Sequence, residues 1–438
     1  MNYMRNQKVS FFSENLFTIF IFLTSNLNAL NIDEAIKSTI LNNPKVKIAI
    51  EKLTESKELI SYAYGSKKPT LTSTISGTYA NADKNTSTAS TTPETLTDKY
   101  QLTVSQNLYD AGYNELEIAR SKILFNDEVI QFKITLQSLI LEAIEGYLTV
   151  INYEKYLEAN QKNYDSVLKA FEETKTRFDI GSATLYDLQN AEASFATASS
   201  NLFAAEQNVQ ISNKSFKRVV GLQAINLEDV LDINNLVNLS NTIETAMDQN
   251  LNLLLAISDI ENKKILLLKE KKSKKPSLDI SGTAEYSDSG RIDSGTKLTQ
   301  GSVALTLTIP LYQKDQDNSN IRKYHSQILQ SEIYLEDFRE DIQIQIYNTY
   351  KDFKISESNM STNQIVIQSI ETSLNSLNEE YNIGTKTITD LVNEEEKLLN
   401  ANVNYLNSKK NFITNYFKLK SLDGSLIKLF EHYIPATN

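Results

Sequence analysis

Four segments of the chain alternate between apolar and small polar residues, which is the pattern of β-strands. In residues 70–79 (TLTSTISGTY), Leu71, Ile75 and Tyr79 fall on one face, and threonines and serines fall on the other. The same alternation recurs in residues 100–109, 277–286 and 302–311. We therefore predict strands at about 70–80, 99–109, 277–286 and 298–311.

Each segment is close to the ~9–11 residues that a tilted membrane strand requires. A soluble β-sandwich would alternate in the same way, and it stays open as an alternative for these strands. Four strands cannot close a barrel, and lipid tolerates no open sheet edge. If the strands lie in a membrane, several copies of the chain must share one barrel.

Apolar residues at seven-residue spacing predict two very long helices, at about 113–179 and 315–382. The first carries two such rows roughly 200° apart around its axis, which indicates a neighbour on each side, as in a wall or tube of helices. A buried helix of a large bundle is the alternative. The rows are Ile118, Phe125, Phe132 and Leu139; Leu116, Ile123, Ile130, Ile144 and Ile151; and, in the second helix, Ile321, Ile328, Leu335 and Ile342.

The sequence consists of two similar repeats. SKKPTLTSTISGTY at 66–79 matches SKKPSLDISGTAEY at 273–286, and each copy predicts helix, strand, polar loop, strand, long helix, turn and helix. Shorter helices at about 184–217 and 387–420 end the two copies. We divide the chain into a first repeat 30–218, a linker 219–240, a second repeat 241–422 and a tail 423–438.

Residues 1–29 have the features of an export signal. Arg5 and Lys8 form a basic start, an apolar stretch follows at Leu16–Leu23, and Ala29 ends a polar segment. The apolar stretch is much shorter than the ~20 residues of a membrane-spanning helix. A buried N-terminal helix is the alternative.

Composition excludes several kinds of chemistry. The chain of 438 residues has no cysteine and two histidines, so it has no disulfide, thiolate metal site or thiol nucleophile. We expect no enzyme activity and no cofactor, because no nucleotide-binding loop, metal cluster or nucleophile triad is recognisable. A net charge of −11 argues against nucleic acid as a partner.

One motif occurs twice, 203 residues apart: RFDIGSATLYDLQNAE at 177–192 and EYNIGTKTITDLVNEE at 380–395. Glycine takes the left-handed conformation that ends a helix. Thr184 precedes Asp187 by three residues, and Thr387 precedes Asp390 by three, which is the spacing of a capping box that starts the next helix. Each copy therefore predicts a sharp helical hairpin.

With this motif pair, the repeat and the SKKP-led strands, the chain resembles the TolC-like outer-membrane efflux proteins over essentially its whole mature length. The resemblance implies an α+β membrane protein, in which a long-helix α-barrel continues a β-barrel of four strands per chain and twelve in a trimer. It implies a homotrimer in the outer-membrane lipid that extends into the periplasm. It also implies a periplasmic adaptor protein as a partner and, indirectly, an inner-membrane pump.

In that family the two glycine-containing turns form the periplasmic tip, where polar contacts hold the aperture closed. Matched residue by residue, Asp187 and Tyr381 would form a contact within one chain, and Lys386 would reach Asp187 and Tyr186 of a neighbouring chain. Asp390 and Asn393 would line the constriction. The adaptor-facing tips would include Gly181, Ser182, Gly384 and Thr385.

Two positions depart from the best-known pattern. Lys386 stands where arginine is typical, which removes bidentate geometry, and Asn393 stands where a second aspartate can occur. Both changes suggest a more weakly closed or less cation-selective gate. We expect a passive exit duct of a tripartite efflux or type I secretion system. The alternatives are a structural coiled-coil envelope protein without channel activity and a stand-alone porin, which the excess of helical residues disfavours.

Overall fold

The structure is a computed structural model that describes residues 30–81, 84–86, 89–91, 94–229, 237–291 and 296–434. The expected export signal, residues 1–29, lies outside the described residues. Parts of the two polar loops, of the 219–240 linker and of the tail also lie outside them.

Two helices of 67 residues dominate the molecule, and each is about 100 Å long at ~1.5 Å per residue. A shorter helix follows each one across a tight turn, and a pair of helices precedes each strand pair. The helices are α1 (Ile32–Asn42), α2 (Pro44–Gly65), α3 (Tyr113–Asp179), α4 (Leu185–Val220), α5 (Leu239–Gln249), α6 (Leu251–Ser273), α7 (Gln316–Asn382), α8 (Ile388–Leu422) and α9 (Leu426–Leu429), followed by a 3-10 turn at Glu431–Tyr433.

The sequence indicated one helix before each strand pair, whereas the structure has two, divided at Asn43 and at Asn250. Each asparagine caps the second helix, because its side-chain oxygen accepts from the backbone N–H two residues later. Its amide nitrogen donates to a backbone carbonyl, from Asn43 to Val219 in the last turn of α4 and from Asn250 to Leu422 at the end of α8, both at 2.8 Å. We call these two arrangements the asparagine joints.

Four long strands form one antiparallel sheet in the order β1-β4-β5-β6. β4 and β5 extend further into the hairpin loops than predicted, and β6 ends earlier, ahead of Pro310, which has no N–H to continue the ladder. A small separate hairpin is formed by β2 and β3. The strands are β1 (Thr70–Asn81), β2 (Lys84–Thr86), β3 (Ala89–Thr91), β4 (Glu94–Tyr109), β5 (Ser277–Arg291) and β6 (Thr296–Thr308).

The strand register separates the sheet into an apolar and a polar face. One row across the four strands is Leu71, Val104, Gly282 and Val303, and the adjacent row is Thr72, Thr103, Thr283 and Ser302. Successive residues of a strand point to opposite faces, so the predicted alternation becomes two faces of different polarity. The apolar face is uncovered in the single chain, with Ile75 72% and Val303 80% exposed.

The main core surrounds the middle of α3, where Leu136, Ile140 and Tyr147 are fully buried against helices of both halves. By length and composition alone, α3 contains an 18-residue window apolar enough to cross a membrane, and half of that window is buried inside the protein. The Tyr147 hydroxyl lies 2.7 Å from the carbonyl oxygens of Leu30 and Glu228, which fastens the start of the described chain to the linker.

The two long helices differ in how much of their surface is covered. α3 packs against α2, α4, α6 and α8, and sixteen of its residues are buried. α7 packs mainly against α5, α6 and α8, and five of its residues are buried. Of the predicted rows, four members are buried in α3 and one in α7: Ile118, Phe132, Leu139 and Ile144 in α3, and Ile342 in α7.

Candidate functional site

The turn between α3 and α4 ends one helix and starts another within five residues. Gly181 has φ of 75°, and the Ser182 N–H donates to the Arg177 carbonyl at 2.7 Å, five residues earlier. This left-handed closure of a helix is a Schellman motif. No atom lies within 4 Å of the Cβ position at Gly181, so glycine is required by the backbone angle alone.

Thr184 and Asp187 form the capping box that their spacing predicted. The Thr184 hydroxyl accepts from the Asp187 N–H at 3.2 Å and donates to Asp187 Oδ2 at 2.7 Å, and Oδ2 also accepts from the Thr184 N–H at 3.0 Å. The bonds from the Thr184 hydroxyl and N–H hold the pKa of Asp187 below its ordinary value, because they stabilise the carboxylate. The carboxylate therefore has a structural role at the start of α4.

The turn between α7 and α8 has the same backbone. Gly384 has φ of 81°, and the Thr385 N–H donates to the Glu380 carbonyl at 2.9 Å. Thr387 and Asp390 form a second capping box, with 2.9 Å from the Thr387 N–H to Oδ2. The N–H and hydroxyl of Thr387, and to a smaller extent the charge of Lys386, lower the pKa of Asp390. We call the two turns, residues 180–184 and 383–387, the tip turns.

One side chain next to the second tip turn joins the ends of the two long helices. The Tyr381 hydroxyl donates to Glu173 Oε2 at 2.6 Å and accepts from Arg177 Nη2 at 3.0 Å. The Arg177 guanidinium also lies 5.3 Å from the centre of the Tyr381 ring, within cation–π range. Burial and the bond to Glu173 raise the pKa of Tyr381, so its hydroxyl keeps its proton at neutral pH.

The structure gives Tyr381 different partners from the one that the resemblance implied. Within the chain, no hydrogen bond joins Tyr381 to Asp187; the hydroxyl is bound to Glu173 and Arg177 instead. Asp187 lies in the first turn of α4, where its Oδ2 is bound to Thr184. Asp187 Oδ1 has no hydrogen bond among the described residues.

The remaining predicted gate residues lie near the tips without forming a cluster in one chain. Tyr186 is 74% exposed, and Lys386 and Asn393 are also exposed. Within the described part of the chain, none of these three side chains makes a hydrogen bond or ion pair. The predicted adaptor-facing residues Gly181, Ser182, Gly384 and Thr385 are exposed, beside Ile180 and Ile383, which are 74% and 75% exposed.

Sequence reasoning missed Glu173 and Arg177. They are four residues apart on α3 and therefore share one face of that helix. An acidic and a basic residue at this spacing usually form a solvated pair, and Tyr381 follows more than 200 residues later. The weak signal was Arg177 itself, which begins the first copy of the motif but has Glu380 at the equivalent place in the second.

The tips have no arrangement for bond-making chemistry. In the described residues, no group of three or more His, Asp or Glu side chains is placed to hold a metal ion. The side chains that converge offer hydrogen bonds, charge and apolar surface. Such a site is suited to holding two surfaces together or apart.

Comparison with known families gives a match over most of the chain. The family described as "Outer membrane efflux protein" matches residues 35–222 and 244–425. Outer membrane protein TolC of Escherichia coli (strain K12) is 23% identical over 418 residues, which cover 91% of this chain and 83% of that protein. The alkaline protease secretion protein AprF of Pseudomonas aeruginosa is 20% identical over 345 residues, and the match covers 75% of this chain and 70% of that protein.

Solved structures share the fold. The Campylobacter jejuni CmeC outer membrane channel superposes with a TM-score of 0.75 at 15% identity, and the match covers 93% of this chain and 90% of that one. At this identity the likeness concerns the fold alone.

Proposed function

The chain belongs to the outer membrane efflux protein family, as a TolC-like efflux protein of the outer membrane, and from that premise we propose that it forms a trimeric exit duct. The family is one of channel proteins and not of enzymes. Three copies would share a β-barrel in the outer membrane and an α-barrel across the periplasm. The duct would be passive, closed or opened at the tip turns.

The observation that carries the proposal is the uncovered sheet. Among the described residues, β1 and β6 each have one edge without a partner, and the apolar face of the sheet is exposed along its length. An apolar face next to an open edge is stable neither in water nor in lipid as it stands. β1 and β6 run antiparallel when placed side by side, because each neighbouring pair in β1-β4-β5-β6 is antiparallel. Three sheets joined in this way give twelve strands and no edge.

The polar face of the sheet would then line the barrel. Threonine, serine, glutamine and glutamate predominate in its rows, as in Thr74, Gln101, Glu285 and Gln300. Membrane barrels place apolar residues outward and polar residues inward in this alternation. The lumen would be wet and able to pass polar cargo.

The uncovered side of α7 supports assembly from several copies. Ile333, Ile344, Ile355 and Val366 are exposed and recur every eleven residues, a spacing close to a whole number of helical turns, so they form a nearly straight apolar stripe. The corresponding helix α3 has neighbours on both sides. We propose that a second copy of the chain covers the stripe on α7, through α2 and α4, where Ile48, Phe203 and Ile211 are exposed.

At the tips we propose that contacts between copies close the duct. Lys386 would reach Asp187 and Tyr186 of the next copy, and the free Oδ1 of Asp187 could accept from its ammonium. Asp390 and Asn393 would line the constriction. The exposed Ile180 and Ile383, next to Gly181, Ser182, Gly384 and Thr385, offer an apolar end for a periplasmic adaptor. An exposed apolar patch of this kind is typical of a docking surface.

The partner system would be a tripartite efflux pump or a type I secretion system, with an adaptor and, indirectly, an inner-membrane pump that supplies the energy. AprF is named for secretion of a protease, and CmeC is described as an outer membrane channel. The repeat that we read in the sequence fits the two segments matched by the family.

Purification in detergent and planar-bilayer recording test the proposal. We expect a trimer that conducts ions, and that conducts more when Lys386 or Asp187 is replaced by alanine. If the double variant conducts no more than either single alanine variant, Lys386 and Asp187 act as one contact. A water-soluble rod that does not conduct would instead support the structural coiled-coil envelope protein.

A further inference from the structure

We propose that four lysines beside the start of two strands bind the anionic headgroups of phospholipids in the membrane leaflet nearer the helices. The four are Lys68, Lys271, Lys272 and Lys275, and we call them the junction lysines. The inference rests on the exit duct proposed above, since it requires the sheet to lie in the outer membrane. It adds the class of lipid that one end of the sheet selects.

The two SKKP segments place lysines at one end of the sheet. Lys68 precedes β1 by two residues, and Lys275 precedes β5 by two. β1 and β5 are parallel, because each is antiparallel to β4, which lies between them. Both strands therefore start at the end of the sheet where β4 finishes at Tyr109. Lys271 and Lys272 lie in the last turn of α6, which leads into β5.

The first lysine of each SKKP segment is bound within the chain. Lys67 Nζ lies 2.6 Å from Glu115 Oε1 in the first turn of α3. The equivalent Lys274 donates to Asn318 in the first turn of α7. The second lysine of each segment is exposed, and its side chain makes no hydrogen bond or ion pair with the described residues. Both repeats therefore use one lysine to hold the following long helix and leave the other available.

The junction lysines have no partner in the described part of the chain, although carboxylates lie in the same region. All four lysines are exposed. The carboxylates instead accept hydrogen bonds from other groups, Asp110 from Gly112, Glu115 from Lys67, Glu270 from Asn320, Asp279 from Asn107 and Asp315 from Asn318. The result is a group of unpaired positive charges in a chain whose net charge is −11.

The loop end of the sheet differs from the helix end. Lys99 Nζ lies 3.0 Å from Glu285 Oε2 on the neighbouring strand. Lys297 Nζ lies 3.6 Å from Asp288 Oδ2, also on a neighbouring strand. These lysines are neutralised by carboxylates, whereas the junction lysines are not. We therefore expect the two ends of the sheet to select lipids differently.

The junction lysines border an apolar and aromatic surface. Exposed side chains at this end include Leu108, Tyr109, Leu311 and Tyr312, of which Leu311 is 93% and Tyr312 81% exposed. Tyrosine is typical of the level of lipid headgroups, and the long stem of lysine lets its ammonium reach that level beside apolar surface. Clusters of about 4–8 lysines or arginines next to a membrane segment attract anionic lipids. The arrangement fits a phosphate held by lysine, with acyl chains on the apolar face.

Helix ends explain only half of these lysines. Cations in the last turn of a helix interact favourably with its dipole, which accounts for Lys271 and Lys272 without any lipid. Lys68 and Lys275 lie beyond the ends of α2 and α6, so this explanation does not extend to them. The decisive substitutions are therefore at Lys68 and Lys275.

Quenching of tryptophan fluorescence by brominated phospholipids shows which lipid lies next to each end of the sheet. The chain has no tryptophan, so Tyr109→Trp and Leu96→Trp each introduce a single indole, at the helix end and near the loop end of β4. Each variant is reconstituted in bilayers of phosphatidylglycerol and phosphatidylcholine, with one lipid or the other brominated. We expect a preference for phosphatidylglycerol at position 109, roughly fivefold for each lysine that contacts the headgroup, and none at position 96.

Removal of charge identifies the lysines responsible. With the indole at position 109, Lys68→Gln combined with Lys275→Gln should abolish the preference. Lys47→Gln combined with Lys351→Gln is the matched control, since both lysines are exposed and unpaired among the described residues. They lie more than about 25 Å from the junctions along α2 and α7. An unchanged preference in the first pair, or an equal loss in the control pair, overturns the proposal.

Inorganic phosphate distinguishes a lipid headgroup from a free anion. If phosphate removes more of the preference than sodium chloride of equal ionic strength, the lysines bind free phosphate and the lipid proposal is wrong. Failure of the exit duct gives a different result, because neither indole would then be quenched by any brominated lipid, and the lipid proposal would fall with it. Quenching at both positions without a preference at position 109 overturns the lipid proposal and leaves the duct standing.

Discussion

The two tip turns have the same backbone and different side chains. Both close a long helix with a glycine at φ near 80° and a bond five residues back, and both open the next helix with a threonine–aspartate capping box. The residues that differ stand beside this shared frame. Phe178 occupies the place of Tyr381, and Ala183 occupies the place of Lys386.

The residues that the two turns share set the backbone geometry, and the residues that differ make contacts with other parts of the protein. Glycine, threonine and aspartate recur because a reversal of two helices needs them in either half. The phenol of Tyr381 and the ammonium of Lys386 occur once, beside and within the second turn. Their acceptors lie on the helices that flank the first turn, on Glu173 of α3 within the chain and, as proposed, on Asp187 of α4 between copies.

The largest effect should come from removing the shared turn geometry. Gly181→Ala and Gly384→Ala each force an alanine into the left-handed region, at a cost of about 1–2 kcal/mol. The two costs should be equal, because the added Cβ meets open space in both turns. We expect the amides of Ser182 and Thr385 to exchange hydrogen roughly five- to thirtyfold faster.

Gly65 provides the control for this substitution. It ends α2 without a left-handed φ, and its Cβ position is also open. Gly65→Ala should therefore be neutral or stabilising. Unequal effects at Gly181 and Gly384 would show that a contact outside the turn, and not the backbone, determines one of them.

A smaller and equally symmetrical effect is expected from the capping boxes. Thr184→Ala and Thr387→Ala should each destabilise the helix start by about 1 kcal/mol. Amide exchange at Asp187 and Asp390 reports the loss, since both N–H groups donate to the threonine oxygen. Thr→Ser at either position keeps the hydroxyl and should restore protection. No change in the alanine variants would leave the threonines without a capping role.

The smallest expected effect is an electrostatic one on the pKa values of Asp187 and Asp390, and it should differ between the two turns. Both carboxyls have a pKa below the ordinary 3.8, so their caps are fully formed above that pH and are lost as the pH falls through the lower folded pKa. Lys386→Met should raise the pKa of Asp390, which lies in its own turn. It should also raise the pKa of Asp187 if Lys386 contacts the next copy.

Carbon-13 NMR of labelled aspartate carboxyls, assigned with Asp187→Asn and Asp390→Asn, measures both values. A change confined to Asp390 would remove the contact between copies from the proposed gate. Dissociation of the trimer into single chains should abolish the effect on Asp187 and keep the effect on Asp390.

Most of the fold could be predicted from the hydrophobic periodicity of the sequence and from the residue types at its turns. The alternating strands, the long helices and the capping boxes at Thr184 and Thr387 were predictable, because each depends on residues close together in sequence. The helix break at Asn43 was missed although Pro44 marks it, and the break at Asn250 has no such signal. The family membership was predicted from the motif pair and is confirmed.

The Tyr381 contact could not be predicted in the same way. Its partners lie more than 200 residues away, and which of several carboxylates the hydroxyl meets depends on how α3 and α7 are rotated in the bundle. Asp187 was the expected partner by family resemblance, and the bonds of Tyr381 to Glu173 and Arg177 instead are visible only in three dimensions. The assembly and the gate stay predictions, since the contacts that they require lie between copies.

The asparagine joints have a mechanical consequence. Asn43 fastens the last turn of α4, and Asn250 fastens the end of α8, so each helix is pinned at the end far from the tips. A helix of 35 or 36 residues is about 54 Å long and acts as a lever. Turning it about its pivot by about 5° moves the tip by about 5 Å, the size of a side chain. A displacement of that size at the tips therefore requires only a small rotation at the joint, which can leave both asparagine hydrogen bonds intact.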